Sequence, residues 1–115
     1  MLRLRRVDIA RSEEIYKKIN DYVEEVANKL KPSLVILFGS FAAKDINEGS
    51  DVDILVVADF KESFLDRIRV LMDLNHFRIP IEPVGYTPME FEEMKRKRNS
   101  FILEVLDKGK IMFKA

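Results

Sequence analysis

Ile15, Ile19, Val23, Val26 and Leu30 recur at helical spacing, so the chain over 12–30 predicts an amphipathic helix. Ser12 stands where an N-cap belongs, and Glu13 and Glu14 follow in the first turn, where carboxylates suit the helix dipole. Pro32 stops the helix. The pattern then changes. "SLVILF" (33–38) and "DVDILVV" (about 51–58) are short continuous apolar runs, the mark of buried strands. Helical spacing returns over 61–75 through Phe64, Leu65, Ile68, Leu71 and Met72. "IPIEPVGY" (79–86) predicts a third strand, and its two prolines, which lack a donor, place it at a sheet edge or make it partly irregular. Thr87 can cap a helix beginning at Pro88. Phe91, Met94, Phe101, Ile102, Val105 and Leu106 carry one broken or two short helices to a stop at Gly109, and "KIMFK" predicts a last short strand.

This order, α-β-turn-β-α-β-α-α-β, predicts an α/β or α+β two-layer domain, a small mixed sheet with helices packed on it. Strand 51–58, helix 61–75 and strand 79–86 predict a right-handed βαβ crossover with parallel strands. The 115 residues suit one domain, and 47% hydrophobic with 35% charged residues gives it a real core. Twenty basic and twenty acidic residues cancel, so bulk charge gives no reason to expect direct nucleic-acid binding. No cysteine is present, which excludes a disulfide scaffold and a thiolate metal site. "MLRLRRVDIARS" lacks the apolar centre of a signal peptide, and no run approaches a membrane span. The expectation is a cytoplasmic protein without a membrane partner.

Some features read as ordinary structure. "KRKR" (95–98) predicts the solvated face of a helix, balanced by Glu90, Glu92 and Glu93. "RLRR" (3–6) predicts a mobile terminus. His76, the single histidine, cannot build a zinc site and reads as a helix end. Apolar residues on the last helices leave room for a homo-oligomer or a partner interface.

The chemistry lies at "LFGSFAAKDINEGSDVDILVV" (37–57). Asp51 and Asp53 are two apart on a strand, so both point the same way. Side-by-side carboxylates repel unless a cation neutralises them. Hard oxygen ligands suit Mg²⁺ or Mn²⁺, and Mg²⁺ often takes one or two carboxylates and completes its shell with water and phosphate oxygens. Gly39 lets backbone approach a ligand closely, the Ser40 hydroxyl and the turn's N–H groups suit phosphate, and Lys44 adds charge. Glu82, predicted on the strand beside Asp51 and Asp53, would complete a two-metal site for in-line phosphoryl displacement.

"GSFAAKDINEGSDVDILVV" resembles the G-S-x₁₀-D-x-D signature of the DNA polymerase β-like nucleotidyltransferases, and the length and element order resemble their smallest branch, the minimal nucleotidyltransferase (MNT) proteins. The resemblance runs from the N-terminal helix to "FILEVLDKGKIMF". It implies a metal-dependent transfer of a nucleoside monophosphate, AMP from ATP, to an acceptor hydroxyl, with two Mg²⁺ ions. It implies that Asp51 and Asp53 bind metal, that Glu82 stands for the third acid, usually Asp, that Gly39 and Ser40 grip the triphosphate, and that Ser50 is the serine before the first aspartate. The chain departs from the pattern at Ala43-Lys44, where many relatives read Arg-Gly. MNT proteins are similar to the antitoxin halves of pairs whose HEPN-domain partner is a toxin, and the implied acceptor is a tyrosine of that partner. Two other readings remain beside this one: an antitoxin that neutralises its partner by binding alone, and a transferase of the antibiotic-modifying kind, against which the absent acceptor domain argues.

Overall fold

The computed structural model describes residues 12–43 and 51–115. The expectations for "RLRR" (3–6), Lys44 and Ser50 fall outside them. The order is α1 (Ser12–Leu30), β1 (Leu34–Phe38), α2 (Ser40–Ala43), β2 (Val52–Val57), α3 (Phe64–Asp73), β3 (Ile81–Tyr86), α4 (Pro88–Arg96), α5 (Ser100–Lys108) and β4 (Lys110–Lys114). The strands form one sheet in the order β3-β2-β1-β4. β2 runs parallel to β3 and antiparallel to β1, which is antiparallel to β4. The sheet is therefore mixed, and β2-α3-β3 joins two parallel strands by a helix, as the pattern predicts. β3 is an edge strand, so buried Pro83 needs no second ladder partner.

Helices cover both faces of the sheet. Val52, Ile54 and Val56 of β2 pack in a core with Ile19, Tyr22, Val23 and Val26 of α1 and Leu71 of α3. Leu55 and Val57 face the other way, into a second cluster with Phe91 of α4 and Ile102 and Val105 of α5. The α+β expectation of helices on a small mixed sheet stands, with a helical layer added on the second face. The physical reason is legible in β2 itself: five of its six residues are buried, and a strand apolar on both faces needs cover on both.

Polar contacts tie the helices down. The Tyr22 hydroxyl, buried in α1, donates to the Leu71 carbonyl at 2.8 Å. Thr87 and Glu90 form a reciprocal capping box at the start of α4, and Asn99 caps α5 by accepting from the Ile102 N–H. Asn75 turns the chain after α3 by donating to the Ile79 carbonyl and accepting from the Phe77 N–H. This turn leaves His76 three residues beyond the helix, beside Glu25, and not at the helix end that the sequence suggests.

Arg67 of α3 is buried. Its Nε donates to the Glu62 carbonyl at 2.8 Å and its Nη1 to the Gly85 carbonyl at 3.2 Å. Its two terminal nitrogens also bind both carboxylate oxygens of Glu90, at 2.7 and 3.2 Å. The sequence reading had Glu90 balancing "KRKR". Instead Glu92 pairs with Lys95, and Glu93 with Arg96 and Lys97, while Glu90 turns inward to Arg67. Arg67 thus clamps α3, β3 and α4 together, and its hydrogen bonds hold the Glu90 carboxyl below the usual glutamate range. Arg67→Ala is expected to cost about 2 kcal/mol of stability, measured by urea unfolding at pH 7. The Glu90 part of that cost is present above the ordinary glutamate pKa and fades as pH falls through the lowered one.

Candidate active site

Strand register assembles the site. Asp53 stands opposite Phe38 on β1 and beside Glu82 on β3. All three lie at one end of the sheet, on the face that α4 and α5 cover, because Asp53 alternates in step with Leu55 and Val57. Asp51 lies one residue ahead of β2 and is exposed.

β1 ends at Phe38, and the chain turns at Gly39 into the four-residue helical turn of α2. Gly39 has φ +74°, the left-handed region, and a Cβ there would come within 2.2 Å of an Asp53 carboxylate oxygen. Glycine is required twice over: by the backbone conformation and by the approach of the carboxylate. Phe41 anchors the turn in the core, and its carbonyl accepts from the Tyr16 hydroxyl of α1 at 2.6 Å.

Burial pushes the Asp53 carboxyl up to about 6; the Glu82 charge and a hydrogen bond with the Glu82 side chain add to this, and Asp51 contributes last. The strand register thus sets Asp53 beside Glu82, with Asp51 near enough to act through its charge. Among the described residues no set of three acidic, histidine or cysteine side chains converges as a ready-made metal cage. The donors still fit a hard divalent cation. They are all carboxylate oxygens, a cation among them would relieve their repulsion, and Mg²⁺ needs only one or two of them.

A cavity of about 590 Å³ opens beside Asp53. Phe38, Gly39, Ser40 and Ala43 line one side, and Ser100, Phe101, Glu104 and Lys108 of α5 line the other. Sequence reasoning missed the α5 wall. Its apolar positions fit a core helix, and only Phe101, set among polar neighbours Ser100, Glu104 and Lys108, hinted at an open face.

A mixed sheet that sets acidic side chains beside a glycine–serine turn and an open cavity of nucleotide size belongs to a group-transfer enzyme. Residues 17–115 match the family described as polymerase beta, nucleotidyltransferase. The chain belongs to this family and is a nucleotidyltransferase. Two proteins of Methanocaldococcus jannaschii, each named "Putative protein adenylyltransferase", are similar to it. They are 29% identical over 98 residues and 30% identical over 101. Each alignment covers 84% of this chain and 96% of the relative. A solved structure, described as a putative nucleotidyltransferase from Sulfolobus solfataricus, shares the fold with a TM-score of 0.64 at 23% identity, over 92% of this chain and 86% of its own. Among the described residues no helix is long and apolar enough to cross a membrane.

Proposed function

We propose that this chain transfers AMP from ATP to a tyrosine hydroxyl of a HEPN-domain partner protein, and so silences that partner as an antitoxin. The observation that carries the reading is the placement of Asp53 beside Glu82 in register, against a glycine whose missing side chain makes room for the Asp53 carboxylate. The names of the two archaeal relatives support a protein acceptor.

In this reading Asp51, Asp53 and Glu82 hold Mg²⁺, which when bound offsets the charge of the phosphates and of the transition state. Ser40 donates its hydroxyl to a phosphate oxygen, and the bare backbone at Gly39 lets the triphosphate tail lie close. Lys44 and Ser50 belong to the same role by sequence. Glu82, exposed at the sheet edge, faces the incoming phenol and takes its proton. The tyrosine oxygen then bonds to the α-phosphorus, the bond from that phosphorus to the bridging oxygen of the β-phosphate breaks, and pyrophosphate leaves.

The test is the intact mass of the partner after incubation with each nucleoside triphosphate and Mg²⁺. One added AMP, from ATP only and lost with Asp51→Asn, is the expected result. Silencing of the partner without a mass change, persisting in Asp51→Ala/Asp53→Ala, would replace this reading with inhibition by binding alone.

A further inference from the structure

The cavity beside Asp53 has a wall that neither the signature residues nor the two strands supply. Phe101, Glu104 and Lys108 of α5 line it, on one helix face. Helix positions seven apart are separated by two turns, about 10 Å, so Phe101 and Lys108 mark opposite ends of one stripe. Among the described residues that line the cavity, Lys108 is the sole cation. A triphosphate entering beside Asp53 needs positive charge, and Ala43, which also lines the cavity, supplies none. Among the described residues Lys108 is held only by Glu104 at 3.9 Å, with both side chains more than 70% exposed. Such a pair is weak, so the ammonium is free to turn to a stronger anion.

At the other end Phe101 packs edge-on against Phe38, with ring centroids 5.5 Å apart and planes at 80°. Phe101 keeps 39% of its surface exposed, a large apolar face left open to the cavity. A Cβ on Gly109 would meet the Val105 carbonyl oxygen at 2.4 Å and Ile36 at 2.6 Å, so the end of α5 is pressed directly on β1.

We propose that α5 is the nucleotide wall of this site, with Lys108 taking up the charge of the phosphate tail and Phe101 the face of the base. This rests on the nucleotide-transfer reading above and adds to it the residues that select the donor. The wall recognises two different parts of one ligand, so two probes separate them: ATP and inorganic tripolyphosphate, each titrated calorimetrically in Mg²⁺ buffer. Lys108→Ala is expected to weaken both about tenfold, the loss of one charge-assisted contact, while Lys108→Arg binds both. Phe101→Ala is expected to weaken ATP by at least about fivefold, the loss of one stacked base, and to leave tripolyphosphate unchanged. Phe101→Leu keeps the packing volume and gives the same split, so a folding defect in the alanine variant does not decide the outcome.

Wild-type affinity of Lys108→Ala for both probes, or equal loss of both probes in Phe101→Leu, overturns the assignment. If transfer by the wild-type enzyme is seen at the same time, the failure is that of the wall alone. A wild-type protein that binds neither probe and transfers nothing takes down the nucleotide reading and the wall together.

Discussion

Asp53→Asn is expected to abolish transfer, by at least about a thousandfold given what preorganised charge supplies in such sites, and to make the metal-free protein more stable. The stability effect follows from the setting of Asp53, held partly out of water and beside other carboxylates, which lifts its pKa from 3.8 to about 6. The folded protein therefore binds a proton at Asp53 more readily than the unfolded chain does. Below about pH 4 both states are protonated and the site costs nothing. As pH rises through 6 the folded state must ionise Asp53 beside Glu82, and stability is lost. Asparagine cannot ionise, so the variant escapes that loss. Discounted for the solvent that reaches the site, the gain at pH 8 is about 1 kcal/mol, or a midpoint higher by about 4 °C. Thermal melts of both proteins at pH 4 and pH 8 check it: the curves should coincide in acid and separate in base. Mg²⁺ should close the gap by stabilising the wild type alone. Equal midpoints at pH 8 without metal would show that ionising Asp53 costs the folded protein nothing.

Gly39→Ala is the second large effect. The alanine methyl would sit within 2.2 Å of the Asp53 carboxylate, on a backbone with φ +74°. The left-handed conformation alone costs a residue with a Cβ about 1–2 kcal/mol. The collision does more to function, since either the turn or Asp53 must move, and misplacement by 1 Å costs on the order of a hundredfold in rate. Transfer should fall by at least that factor, while urea unfolding shows a loss of about 2 kcal/mol. A double-mutant cycle isolates the clash. In the background of Asp53→Ala the carboxylate is gone, and Gly39→Ala should cost only the backbone part. Additive losses would mean that the two residues do not touch.

Much of this architecture can be read from residue pattern because the forces behind it are local. The helix over α1, the buried strands β1 and β2, the cap at Thr87 and the stop at Gly109 follow from periodicity and from which residues can cap or end a helix. The pairing of Asp53 with Glu82 was also within reach, since a βαβ unit puts its two strands side by side. Other features had no local sign. Arg67 looks like any surface arginine of an amphipathic helix, and Glu90 like a partner for the basic run that follows it. Only packing buries the first and turns the second toward it.

The sequence by itself determined the elements, the family and the carboxylates at the strand ends, because helix and strand periods and the spacing between Gly39 and Asp53 are properties of neighbouring residues. Tertiary structure alone decided that helices cover both faces of the sheet, that α5 walls the cavity, and that Asp53 stays partly protonated near pH 6. Those depend on which surfaces meet and how much water they exclude, and a chain brings such surfaces together only once it has folded.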